Sequence, residues 1–254
     1  MIQEKIEDGI LIATFVNGKN NSMNADMVTQ LQGIVKKVNS EDDIKGLILT
    51  GEGRTFCSGF DLPMFLGFKD LDEIIAFFNE AEDAFIELFA CKKPVVSAIN
   101  GAAVAGGLIM SMACDYRIVK NHPKIKMGMS EIKIGLGLSI VQSELMQFGL
   151  ETKKKFQEIM YGGNLFDIQY ALENDIVNEI VEEEELINRA KAVIISWIDC
   201  PGRAFIMLKE GLRTVTAERM RDRVKNEAWQ ERFNIFFDPG TRGAIEMVSK
   251  MMGN

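Results

Sequence analysis

The sequence predicts an α/β fold in which a mostly parallel sheet is covered by helices and followed by a helical C-terminal region. Three observations carry this expectation. Short apolar, β-branched runs alternate with segments whose apolar residues recur at helical spacing. Two Gly-bearing turns each follow a run that reads as a strand. Beyond residue 181 the pattern is almost wholly helical.

Residues 10–16 are mostly apolar and β-branched, as a strand should be. Residues 17–24, rich in Asn, Gly and Lys, read as a loop. Met27, Leu31, Ile34, Val35 and Val38 then mark a helix. The run 46–50 reads as a buried strand, and 51–62 as a Gly-rich irregular stretch. Ile74, Ile75, Phe78, Phe85 and Leu88 place a helix over 70–90. Residues 95–99 form the next strand, 106–113 a helix and 116–119 a strand. Such alternation implies right-handed βαβ crossovers. After a strand-like run at 176–181, helices are predicted over 183–198, 203–215, 217–237 and 243–252. Trp229, Phe233, Phe236 and Phe237 put apolar groups on more than one side of these helices, which fits either a partner subunit or cover for the chain's own core. With no internal repeat or Pro/Ser linker, 1–195 and 196–254 read as two intimate lobes of one chain.

Composition narrows the function. A formal net charge of −8 suits neither nucleic acid nor an anionic membrane surface. Residues 94–114 carry no charge and are about long enough to span a bilayer, but Ser97, Asn100, Gly101, Gly106, Gly107 and Ser111 break them into strand, turn and helix. Cys57, Cys91, Cys114 and Cys200 form no C-x-x-C pair, so reduced thiols and a cytoplasmic location are expected. Residues 1–12 have neither a signal peptide's apolar core nor a transit peptide's arginines.

The single histidine, His122, sits in a polar turn beside no nucleophile, which leaves no Ser–His–Asp triad. One His and scattered Cys do not make a zinc site. There is no P-loop, and Gly135-Leu136-Gly137 and Gly51-Glu52-Gly53 lack a dinucleotide fingerprint's third glycine. Neither a metal nor a separate cofactor is expected.

What remains is backbone chemistry at the turns 55–62 and 100–107. Ligands of open α/β sheets bind outside the C-terminal strand ends. A Gly at a helix start lets a ligand approach unpaired N–H donors at the positive end of the helix dipole. Two such donors converging on one point form an oxyanion hole, although Gly-rich turns also occur simply as turns.

Phe56-Cys57-Ser58-Gly59-Phe60-Asp61-Leu62, with Asn100-Gly101 leading into Ala105-Gly106-Gly107 and Cys114-Asp115-Tyr116-Arg117-Ile118, resembles the enoyl-coenzyme A hydratase/isomerase (crotonase) superfamily. The resemblance implies a crotonase-like spiral of ββα units, assembled as trimers or dimers of trimers, with the C-terminal helices at subunit contacts. It implies an acyl-coenzyme A substrate, with coenzyme A entering as part of that substrate. The oxyanion donors would be the N–H groups of Phe60 and Gly106. Ser58, Gly59, Asp61, Leu62 and the loop holding Met23 would line the coenzyme A path, with Gly107, Ile109 and Ser130 also at the substrate. Asp61 alternatively caps a turn or helix.

Hydratases of this superfamily use two glutamates. The first falls here on Ile109 and the second on Glu131, within Ser130-Glu131. A single base suffices to move a double bond, and the chain is similar in pattern to the mitochondrial-type Δ3,Δ2-enoyl-coenzyme A isomerases, which commonly carry Asn at the position of Ser130. The resemblance therefore implies isomerisation, with Glu131 raised in pKa by apolar surroundings. By spacing alone Glu131 also reads as a solvated loop carboxylate. The alternatives are hydration, thioester hydrolysis or decarboxylation by the same fold, or an inactive acyl-coenzyme A-binding homologue. Phe65, Phe68, Phe77 and Phe78 read equally as acyl pocket or core, and Cys57 and Ser58 as turn packing.

Overall fold

The computed structural model describes residues 1–253. Two antiparallel strands open the chain: β1 (Ile2–Glu7) and β2 (Ile10–Phe15), joined through Asp8 and Gly9, both at positive φ as a tight hairpin turn requires. β1 was not anticipated; it is a mostly exposed edge strand whose Gln, Glu and Lys side chains hide the strand pattern.

Helix α1 (Ala25–Ser40) buries Met27, Val28, Leu31, Ile34, Val35 and Val38, with the Asn24 side chain capping its start. Then follow β3 (Gly46–Gly51), β4 (Thr55–Cys57), α2 (Leu62–Gly67) and α3 (Leu71–Phe89). The next unit is β5 (Val95–Ile99), β6 (Ala102–Val104) and α4 (Gly106–Ala113). The third is β7 (Tyr116–Lys120), β8 (Met127–Gly128), a 3₁₀ turn at Glu131–Ile134 and α5 (Ile140–Gly149). Each unit sends its first strand to a large sheet and its second to a small one, the repeated ββα arrangement that the resemblance implied. The large sheet runs β1-β2-β3-β5-β7 and ends on a later strand, β10 (Glu179–Val181); it is parallel from β2 onward. The small sheet runs β4-β6-β8 and ends on β9 (Leu165–Phe166), with β4, β6 and β8 parallel.

Between the units and the C-terminus lie α6 (Lys153–Gly162), β9 (Leu165–Phe166), α7 (Ile168–Glu173), β10 (Glu179–Val181) and α8 (Leu186–Ile198). The apolar face of α8 packs on Ile48, Val96 and Ile118 of the large sheet. The division drawn at 195/196 thus falls inside a helix. The stretch 94–114 resolves into β5, β6 and the eight-residue α4, and among the described residues no helix is long and apolar enough to cross a membrane.

The helices expected over 203–215 and 217–237 are corrected at both the break between them and the far end, since the second stops at Asn226 and residues 230–237 form a 3₁₀ segment. The break placed at residue 216 is absent, and α9 runs unbroken from Ala204 to Asn226. Thr216 is buried on the same helix face as Arg213, Ala217 and Met220, so packing overrides its weak helix preference. Lys209 and Arg213 fasten α9 to the sheet through buried Asp115, at 2.6 and 3.1 Å. A 3₁₀ segment (Gln230–Phe237) leads into α10 (Pro239–Met252).

Candidate active site

β4, β6 and β8 are adjacent and parallel, so the turns after them open side by side at one edge of the small sheet. These turns hold residues 58–61, 105–106 and 129–131. Strand pairing therefore gathers three segments that lie far apart in sequence.

The first two turns touch. A Cβ built on Gly59 (φ +94) would lie 2.8 Å from Ala105 Cβ and 3.0 Å from Gly106 N, and one on Gly106 would lie 3.3 Å from Gly59 Cα. No side chain fits at Gly59. The loop after β2 holds this turn from the other side: Met23 N donates to Gly59 O at 2.8 Å, and Asp61 N donates to Met23 O at 2.9 Å. That parallel bridge engages the groups of Gly59 and Asp61, leaving the N–H of Phe60 facing away from it.

Gly106 is the first residue of α4, and its N–H is one of the helix's orphan donors. Ahead of it Ala105 sits at φ 55, ψ −129, a region that costs a non-Gly residue about 1–3 kcal/mol. Ala105 N donating to Gly128 O at 2.9 Å, and Ile109 N to Ala105 O at 3.1 Å, hold it there. Among the described residues, neither the Phe60 N–H nor the Gly106 N–H donates to a protein acceptor. An oxygen acquiring charge between them would receive both.

Both residues line a cavity of about 630 Å³. Its walls are chiefly apolar: Phe60, Leu62, Phe65 and Phe78 on one side, and Phe233, Phe236, Val248 and Met252 from the C-terminal segments. Glu131 is the one carboxyl on the wall among the described residues, and Ile109 stands there as a buried apolar side chain. Glu131 Oε2 is sealed from solvent and has no hydrogen-bond partner among the described residues. Burial raises its pKa from the ordinary 4.5 to about 7, although the N–H groups of Glu131 and Ser130 pull the other way. The expectation of a carboxyl in apolar surroundings describes it better than that of a solvated loop residue. Lys133 and Arg232 are the cations on the cavity wall.

Of the residues singled out from sequence, Ser58, Phe60, Leu62, Gly106, Ile109, Ser130 and Glu131 line the cavity. Met23, Gly59, Asp61 and Gly107 do not; they stand behind the wall and shape it. Met23 is buried against Gly106, where its methyl carbon would lie 3.0 Å from an added Cβ. Asp61 caps α2 by accepting from Met64 N at 3.2 Å. Gly107 lets α4 lie against β4, since a Cβ there would fall 2.1 Å from the Cys57 carbonyl oxygen. Cys57 is fully buried and its thiol is pushed up to about 12, so it stays protonated in the turn. Phe65 and Phe78 serve pocket and core together, whereas Phe68 and Phe77 pack in the aromatic cluster behind them.

Sequence reasoning missed the C-terminal wall. The aromatic excess at Trp229, Phe233 and Phe236 was the available signal, and these residues are buried within the chain's own core. Phe233 stacks on Phe78 with ring centroids 4.2 Å apart, and Phe236 meets Phe65 edge-on at 4.9 Å. His122 is an exposed turn residue whose Nδ1 accepts from Lys124 N.

A family model described as enoyl-CoA hydratase/isomerase matches residues 5–239. The mitochondrial enoyl-CoA delta isomerase 1 of Rattus norvegicus is 26% identical over 223 residues, covering 87% of this chain and 76% of that protein. The glyoxysomal fatty acid beta-oxidation multifunctional protein MFP-a of Cucumis sativus is 32% identical over 196 residues, which is 75% of this chain and 26% of that longer protein. Among solved structures, human mitochondrial delta3-delta2-enoyl-CoA isomerase is similar with a TM-score of 0.90 at 23% identity, over 99% of this chain and 98% of that one. The enoyl-CoA hydratase of Bacillus halodurans is similar with a TM-score of 0.83 at 24% identity, over 97% and 99% of the two chains. The structural likenesses establish a shared fold.

Proposed function

The chain belongs to the enoyl-CoA hydratase/isomerase family, and on that premise we propose that this acyl-coenzyme A enzyme moves a carbon–carbon double bond from C3 to C2 of its thioester substrate. The observation that carries the proposal is that, among the described residues, Glu131 is the single carboxyl of the cavity wall, with Ile109 in place of a second acid. Hydration is served by two carboxylates that position a water and share its proton transfers. Double-bond migration needs one base that works twice.

In this reading the thioester oxygen sits between the N–H groups of Phe60 and Gly106. The Glu131 carboxylate takes a proton from C2, and the released electron pair spreads over a dienolate whose oxygen is held by the two donors. The carboxylic acid then returns the proton to C4, the C3–C4 double bond becomes single, and C2–C3 becomes double. A base with pKa about 7 is matched to both transfers near neutral pH. Each oxyanion donor is typically worth about 3–4 kcal/mol in the transition state. No further cofactor is required, because coenzyme A arrives as part of the substrate.

The proposal extends to assembly as a trimer or dimer of trimers. Its support is a stripe on α9 in which Met207, Leu208, Leu212 and Val215 are 65–73% exposed, an unusual run of apolar surface for a free helix.

Turnover of 3-hexenoyl-coenzyme A to the 2-enoyl product, with hydration of 2-hexenoyl-coenzyme A measured alongside, tests the reaction. Isomerisation well above hydration, abolished in Glu131→Gln, is the expected result. Hydration exceeding isomerisation would overturn the proposal and move the search to the acid that replaces Ile109.

A further inference from the structure

A second carboxyl is buried near the cavity, and the reaction above gives it no part. Glu82, on α3, has no exposed surface. Its Oε1 accepts from the Ser139 hydroxyl at 2.6 Å, and its Oε2 accepts from the Val141 N–H at 2.8 Å. Among the described residues no Lys or Arg pairs with it. Asp83 beside it on α3 adds repulsion, while Glu144 of α5 is turned to Arg219 and Arg223. Burial raises Glu82 to about 7. A buried carboxyl without a cation is costly to keep, so its geometry needs a reason.

The reason lies in what it holds. Ser139 is the N-cap of α5, in a capping box with Gln142, and the positive end of the helix dipole favours a negative group there. Ser139 also ends the segment that begins at Glu131. Within that segment Leu136 N donates to Glu131 O at 3.0 Å, and Glu131, Lys133, Ile134, Leu136, Gly137 and Leu138 line the cavity. One end of the segment is tied to the small sheet through β8, and the other is tied to α3 through Glu82.

We infer that Glu82 is a positioning residue: by bonding Ser139 and Val141 it fixes the far end of the segment 131–139, and so the placement of Glu131 in the cavity. The kinetic part rests on the isomerase reading, but the structural part does not.

The test compares wild type with Glu82→Leu, which keeps bulk and removes both acceptors. Hydrogen–deuterium exchange reads the segment directly and needs no activity. The expected result is roughly tenfold faster exchange in 131–142, the scale set by losing hydrogen bonds to a charged group, with β3 and β5 unchanged. For isomerisation, kcat is expected to fall roughly tenfold while KM stays within about twofold, which a simple packing loss would not produce. Should Glu82→Leu fail to fold, Glu82→Gln keeps volume and one acceptor and carries the same test. Unchanged exchange in 131–142, or an unchanged kcat in an active enzyme, would overturn the inference. A wild type that isomerises nothing but whose variant loosens 131–142 would remove the isomerase reading and leave the positioning role standing.

Discussion

Replacing Glu131 by Gln should make the enzyme both inactive and more stable, and the second effect should depend on pH. The Gln side chain keeps the volume but cannot take a proton, which removes the roughly 10²–10⁴-fold that a positioned base contributes. The stability effect follows from burial. Glu131 has an ordinary pKa of 4.5 in the unfolded chain and about 7 in the fold. The native protein therefore binds this proton more tightly than the unfolded chain does. The carboxyl's stabilising contribution is fully present below pH 4.5 and is lost as pH rises through about 7. At about 1.36 kcal/mol per pH unit, the gap between the two values amounts to about 3 kcal/mol in alkaline solution. Gln does not titrate and avoids that loss. For a chain of this size, about 3 kcal/mol corresponds to roughly 6–12 °C in Tm. Thermal denaturation of the two proteins from pH 5 to pH 8.5 is the assay, and the difference isolates Glu131 because Glu82 titrates in both. The variant's advantage should be small at pH 5 and approach its full size above pH 8. A difference that stays constant across this range would refute the argument, because the carboxyl would then titrate no differently in fold and chain.

Three other outcomes are expected. Gly106→Pro removes one N–H at the first position of α4, where the new Cβ also meets the Met23 methyl at 3.0 Å and Gly59 Cα at 3.3 Å, so kcat should fall by at least about 10²–10³-fold while far-UV circular dichroism, which reads helix content and not this local crowding, stays native. Asp115→Ala leaves Lys209 and Arg213 buried without their shared carboxylate and should cost about 3–5 kcal/mol in urea denaturation, with the substrate cavity untouched. Leu208→Glu with Leu212→Glu places charge on the exposed face of α9, and light scattering should record a smaller particle than wild type if that face joins subunits.

The pattern of the long elements is local, and the sequence carries it. Ile34, Val35 and Val38 bury one face of α1 at helical spacing, and β3 and β5 are mostly apolar runs, interrupted by Thr50 and Ser97, because helices cover both sides of the sheet. The paired Gly turns, the Ile at 109 and the Glu at 131 are likewise legible as residue identities at fixed offsets, and they point to the family and to one base rather than two. Short elements are not legible in this way. β4 and β6 have three residues and β8 two, too few for any periodicity, and they exist because neighbouring strands pair with them. Yet their pairing is what sets Phe60, Gly106 and Glu131 side by side. The C-terminal wall of the cavity was hidden for a related reason, since Phe233 and Phe236 become its lining only when the chain returns to Phe65 and Phe78. Sequence by itself decided which groups are present. Tertiary structure alone decided which of them lose water, because burial is a property of neighbours brought from elsewhere in the chain, and that loss turns Glu131 from a surface carboxylate into a base poised near neutrality.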